Sequence, residues 1–249
     1  MITKTGVISD IHCPYEDKNA VELCLQAFES IDVDRIIILG DLLDAYNVSM
    51  HGAKNPDVIE SLQDEMDYVK EWLISLRNRF KRQHIVYLEG NHSNRIERYI
   101  LANAKPFHNM ITPKKYFNLE DLDIEWHDYQ DVYQVENCNL YAVHSPPSYG
   151  KNHAMTSLER KLDASFIYGC SHRAQVAHRT GANGSIYSAY MMGWLGDRTK
   201  KVFEYAKGHD SWQLSCGMIT VINGKDFNVE ISVIRDNTLT IDGKTFTQD

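Results

Sequence analysis

Three runs of apolar residues in this chain each stop on a residue able to bind a cation. Thr5–Ile8 runs into Ser9-Asp10-Ile11-His12, Arg35–Leu39 into Gly40-Asp41, and His84–Leu88 into Glu89-Gly90-Asn91-His92. Short runs rich in Ile, Val and Leu are predicted strands buried on both faces, as in a parallel sheet. Between them lie stretches with helical spacing, Asn19–Ser30 and Val58–Arg79, and a further helix is predicted after Asn91. Strand–helix–strand alternation predicts a parallel sheet with helical crossovers. Such sheets bind ligands beyond the carboxyl ends of their strands. Asp10, His12, Asp41, Asn91 and His92 would therefore share one crevice, and oxygen and imidazole donors together suit divalent metals.

The second half reads as short strands: Glu125–His127, Asp131–Val135, Leu140–Val143, Phe166–Gly169, Ile186–Met191, Trp212–Val221, Asn228–Ile234 and Thr238–Ile241. They are expected to form a second sheet packed on the first. No internal repeat or Pro/Gly/Ser-rich linker divides the chain, so one domain over residues 1–249 is expected. A hydrophobic content of 43% supplies a core. The net charge of −8 argues against a protein that coats nucleic acid, although a local basic groove stays open. Five scattered cysteines fit a reduced, cytoplasmic protein better than a disulfide framework. The N-terminus carries no secretory pattern, and no stretch approaches the ~20 apolar residues that a bilayer span needs.

Taken together the motifs resemble the calcineurin-like metallophosphoesterases. That family's pattern is D-x-H, G-D-x-x-D, G-N-H, a lone His, then G-H-x-H. Here it reads as Asp10-Ile11-His12, Gly40-Asp41-Leu42-Leu43-Asp44, Gly90-Asn91-His92, His144 in Ala142-Val143-His144-Ser145, and Gly169-Cys170-Ser171-His172. Each motif alone is weak, and five in order at predicted strand ends are strong. The resemblance implies an α/β fold, a four-layer αββα sandwich of two mixed sheets flanked by helices. It also implies a hydrolase of phosphoric esters with two divalent ions, Mn²⁺ foremost, with Zn²⁺, Fe²⁺ or Mg²⁺ as alternatives.

By the same resemblance Asp10, His12, Asp41 and His172 hold the first metal, and Asp41, Asn91 and His144 the second. On an extended segment positions 10 and 12 would point the same way. Asp41 could bridge two ions ~3.5–4 Å apart, or merely cap the next helix. His92 would protonate the leaving oxygen or stabilise the transition state, and Arg95 could bind a phosphate oxygen. Asp44 is either an orienting group or a cap. The family often has a carboxylate after the His of the third motif, where this chain has Ser93. It usually has His where this chain has Cys170, which is either a zinc-binding thiolate or a small apolar residue that leaves the second site a ligand short. His178 or His153 could substitute. Tyr46, His51 and Lys54 would form a rim for substrate selection, and His84, His108, His127 and His209 are expected to be surface or structural.

A small phosphorylated, nucleotide-like substrate is expected, because the chain is compact and acidic. Two other enzyme classes stay open: a nuclease, with Arg77–Arg82, Arg95–Arg98 and Lys105–Lys115 lining a groove, and a Ser/Thr-type protein phosphatase. Cys170 and Ser93 also leave room for a non-catalytic binding module on this scaffold. Oligomeric state is not fixed by the sequence.

Overall fold

The computed structural model describes residues 1–49, 58, 61–145, 154–156, 163–206 and 211–248. The first sheet has six strands. β1 (Ile2–Ile8), β2 (Arg35–Ile38), β3 (His84–Leu88) and β4 (Ile124–His127) lie parallel and adjacent. The second has five: β5 (Tyr133–Gln134), β6 (Leu140–Val143), β7 (Ser165–Tyr168), β9 (Ile186–Met191) and β8 (Gln175–Thr180), in that spatial order. The last long strands do not join this second sheet, as the sequence had suggested. β10 (Ser215–Ile222) pairs antiparallel with β1, and β11 (Asp226–Val233) extends the first sheet beyond it. A hairpin of β12 (Thr238–Ile241) and β13 (Lys244–Thr247) closes the chain.

Alternation along β2 shows why its sequence is apolar throughout. Ile36 and Ile38 pack against the helices on one face, while Ile37 and the following Leu39 face the second sheet. On that inner side Val7, Val86 and Leu88 meet Leu140, Ala142 and Ile167. The outer side is covered by α1 (Lys18–Ile31), α2 (Leu62–Arg79) and α3 (Asn94–Asn103). Beyond the second sheet, the helical residues 154–156 place Ala154 on Tyr168, Ala177 and Met191. This is the αββα layering of two mixed sheets. No helix among the described residues is long and apolar enough to cross a membrane.

Local chemistry sets the helix ends. Asp17 caps α1 by accepting from the Ala20 amide at 3.0 Å. α2 starts at Leu62 rather than at Val58, because Ser61 and Asp64 form a reciprocal capping box. The apolar spacing extended the expected helix past that stop. Arg77, near the end of α2, donates to the carbonyls of Leu122, Phe80, Gln83 and Asp123, and Arg79 pairs with Glu22 and Glu29. These guanidiniums tie α2 to its neighbours.

Candidate metal centre

The strand ends deliver the expected residues to one place. Asp10 and His12 follow β1, Asp41 and Asp44 follow β2, Asn91 and His92 follow β3, His144 follows β6, and Cys170 and His172 follow β7. Asp10, His12, Asp41, Asp44, His92, His144 and His172 are all buried. The segment carrying Asp10 and His12 is not extended, contrary to expectation. Asp10, His12, Asp41, Cys170 and His172 all hold left-handed backbone, with φ of 53°, 56°, 47°, 68° and 61°. Each chain turns sharply off its strand, which aims the ligands inward. Left-handed non-glycine residues are uncommon, and such strain gathers at functional sites.

Two glycines in the motifs have a steric reason. A Cβ on Gly40, at φ +90°, would collide with the imidazole of His144, and one on Gly90 would collide with the carboxylate of Asp41. Without side chains at these points, ligands from adjacent strands approach each other closely.

Ligand atoms converge at two neighbouring points. At the first, Asp10 Oδ1 lies 3.2 Å from His172 Nε2, and His12 Nε2 lies 3.1 Å from the same nitrogen. At the second, His144 Nε2 lies 3.1 Å from Asp41 Oδ2 and 3.0 Å from Asn91 Oδ1. Cys170 Sγ lies 3.2 Å from that same Asn91 oxygen. Asp10, His12 and His172 form one candidate ligand group, Asp10, Asp41 and His144 another, and His12, Asp44 and His92 a third.

Tautomers follow from the partners. His144 Nδ1 donates to the Leu39 carbonyl at 2.7 Å, and His12 Nδ1 donates to Asp44 Oδ2 at 2.9 Å. Their Nε2 atoms therefore face the other ligands, as in a metal-binding imidazole held by an outer hydrogen bond. Burial opposes a proton on His144, yet Asp41 holds its pKa well above the usual histidine range, so an ion would displace that proton. Asp44 is thus an orienting group rather than a cap. His172 is held differently. Its Nδ1 is buried without a hydrogen-bond partner, and its ring stacks on Trp194 at 5.1 Å and meets Trp212 edge-on at 4.3 Å.

Burial opposes ionisation of Asp41, yet His144, His92 and His12 together hold its carboxyl well below the usual range. Asp10 is also held low, with burial opposing and His172 and His144 prevailing. Burial and then His92 lower the pKa of His12 against the pull of Asp44, which favours the neutral, ligating imidazole. Three buried carboxylates beside facing imidazole nitrogens call for cationic charge between them. The donor set of carboxylates, imidazoles and an amide oxygen fits divalent transition ions.

His92 has both ring nitrogens engaged. Nδ1 donates to the Asp44 carbonyl at 2.9 Å, and Nε2 accepts from Arg95 Nη2 at 2.8 Å. Arg95 also donates to the Asp44 carbonyl at 3.1 Å. The carboxylates near His92 are those of Asp44, 3.3 Å from Nδ1, and Asp41, 3.8 Å from Nε2, both from the second motif rather than from position 93.

His178 does not reach the cluster. It sits on the edge strand β8, bonded to Ser188 Oγ at 2.8 Å. His153, His51, Lys54 and His209 lie outside the described residues. Tyr46 packs beside the Tyr15, Trp194 and Phe203 cluster. His84 and His127 pair with Glu125, and His108 with Glu97, as surface residues do. The sequence reading missed the aromatic wall. Trp212 touches both His172 and Tyr205, at 4.3 and 6.2 Å between ring centres. Tyr205 is 65% exposed. Its hydroxyl is nonetheless pushed up to about 12, first by desolvation and then by Asp44. These residues carry no spacing motif, so no local pattern announces them.

No curated protein matches the chain. Solved structures similar to it include Vacuolar Protein Sorting 29 from Cryptosporidium parvum, 16% identical over 99% of this chain and 95% of that one, with a TM-score of 0.48. Another is Yfce, a phosphoesterase from E. coli, 15% identical over 99% and 98%, with a TM-score of 0.43. The sequence itself matches the calcineurin-like phosphoesterases over residues 3–226, a span that contains every ligand of the buried cluster. The chain belongs to the calcineurin-like phosphoesterase family.

Proposed function

We propose that this protein hydrolyses phosphate esters at a dinuclear divalent centre. Asp10, His12, Asp41 and His172 hold one ion, and Asp41, Asn91 and His144 the other, with Cys170 beside them. The observation that carries this reading is the pair of neighbouring points where ligand atoms face each other. One is His12 Nε2 against His172 Nε2 at 3.1 Å, and the other is His144 Nε2 against Asp41 and Asn91 at 3.1 and 3.0 Å. Divalent ions at such points supply Lewis acidity toward phosphoryl oxygens and lower the pKa of water. Manganese suits the mixture of imidazole and oxygen donors, with Zn²⁺, Fe²⁺ and Mg²⁺ as alternatives.

The chain's own groups do the rest. Arg95 is anchored beside the centre and offers its guanidinium to a phosphoryl oxygen. When it turns onto the phosphate it frees His92 Nε2, which would take a proton from solvent and then give it to the leaving oxygen. Asp44 keeps both His12 and His92 in place. The substrate is small and nucleotide-like, and the Trp212 and Tyr205 rings beside His172 offer a stacking surface for a base. Hydrolysis of p-nitrophenyl phosphate and bis(p-nitrophenyl) phosphate, before and after chelation, tests the reading. Loss of activity on chelation and recovery with Mn²⁺ support it. Full activity in metal-free protein, or no hydrolysis of either ester with any divalent ion, overturns it.

A further inference from the structure

A cleft of about 680 Å³ opens between the turn after His172 and the end of β11. Among the described residues Arg173, Gln175, Ser211 and Arg235 line it, and no carboxylate does. In a chain of net charge −8, two arginines with no described acid between them set this cleft apart from the adjoining hollow, where Asp17 and Asp197 lie with Arg235. Arg79 and Arg95 are engaged by carboxylates, carbonyls or an imidazole. Arg173 and Arg235 pair with no carboxylate among the described residues. Arg173 Nε is buried and has no acceptor. A buried guanidinium N–H without an acceptor is costly, and a bound anion supplies what is missing. Planar guanidiniums match phosphate oxygens two at a time.

The cleft is tied to the centre through the backbone. Arg173 directly follows His172. The Gln213 amide donates to the His172 carbonyl at 3.0 Å, and the Gln213 side chain accepts from the Ala174 amide at 3.0 Å. We propose that Arg173 and Arg235 bind a second phosphate group, one that is not hydrolysed, on a substrate whose scissile phosphate lies at the metal centre. This deepens the phosphoesterase reading and rests on it. The favoured substrates then carry two phosphates, as a nucleoside bisphosphate or a short oligonucleotide does.

Two esters test this: thymidine 5′-(p-nitrophenyl phosphate) with and without a 3′-phosphate. The quantity to read is the ratio of their KM values. Wild type is expected to favour the 3′-phosphorylated ester by about tenfold or more, the usual worth of a charge-assisted contact. Arg235→Gln, which changes an exposed residue far from the ligands in sequence, is expected to bring the ratio near unity, as is Arg173→Gln. A ratio that survives both substitutions overturns the proposal. Binding is read separately by following the Arg173 Nε–H resonance in Mg²⁺-loaded protein as inorganic phosphate is added. A shift in wild type that disappears in Arg235→Gln supports the cleft, even if neither ester is hydrolysed, and in that case the phosphoesterase reading alone fails. No shift in wild type overturns the cleft.

Discussion

Asp44 Oδ2 accepts from His12 Nδ1 at 2.9 Å and so fixes which nitrogen of His12 faces His172. The same aspartate offers its backbone carbonyl to His92 and Arg95. One residue therefore orients a proposed metal ligand and both groups proposed to meet the phosphate. Asp44→Asn keeps the shape and removes the charge. The expected result is a metal affinity about 10–100-fold weaker, the usual cost of losing such an outer partner. Calorimetric titration with Mn²⁺ reads it, and an unchanged affinity would mean that His12 is held by packing alone.

His92 should matter for turnover and not for metal. His92→Asn is expected to lower kcat by roughly 10²–10⁴ while metal content stays near the wild-type level. The loss should shrink for an ester with a good leaving group, which needs little protonation. If the loss is equal for good and poor leaving groups, His92 acts by holding Arg95 rather than by assisting the leaving oxygen.

Cys170 stands where the family has a histidine, and its sulfur lies 3.2 Å from Asn91 Oδ1. A protonated thiol adds little to a metal site, which leaves the second ion with Asn91 and His144 besides the shared Asp41. Cys170→His is expected to lower the metal concentration for half-maximal activity, and Cys170→Ser to leave it nearly unchanged. The left-handed backbone at this position, φ 68°, is one that histidine adopts more readily than most residues. Loss of tightly held zinc in Cys170→Ser would instead identify a thiolate ligand.

Much of this was legible in the sequence, because ligands at strand ends follow apolar runs that announce the strands. β3, β6, β9 and β12 fall where the apolar pattern put them. β8 went unseen because only Ala177 of its residues is buried, so Gln175–Thr180 shows no apolar alternation. β13 was missed although Asp242-Gly243, both at positive φ, carries the hairpin-turn signal. The return of β10 to pair with β1 is a long-range register that no local pattern encodes. Asp44 could be read as either an orienting group or a cap, since only the fold brings His12 to it. Trp194 and Trp212 were invisible as site residues, because aromatic residues at unrelated positions look like ordinary core.

Glu65 gives a pH dependence of known sign. It is buried in the first turn of α2, accepting from the Tyr46 amide at 3.2 Å and the Tyr15 hydroxyl at 3.3 Å. Burial, and then the negative Asp44, push it up to about 8 from an ordinary 4.5. Between those values the folded chain keeps a proton that the unfolded chain has lost. The unfolded state thus binds fewer protons, and raising the pH through this window lowers stability, by at most about 1.4 kcal/mol per pH unit. Glu65→Gln stays neutral. Its melting temperature relative to wild type is expected to rise steadily from about pH 5 to about pH 8. A difference that does not change with pH would show that Glu65 does not titrate in this window.

The central claim is a dinuclear centre at the strand ends, and anomalous diffraction from crystals grown with Mn²⁺ tests it most directly. The expected result is two peaks about 3.5–4 Å apart, with Asp41 between them, His12 and His172 on one and His144 and Asn91 on the other. A cluster with no peak under saturating Mn²⁺, or a single ion that touches neither Asp41 nor His144, would contradict it.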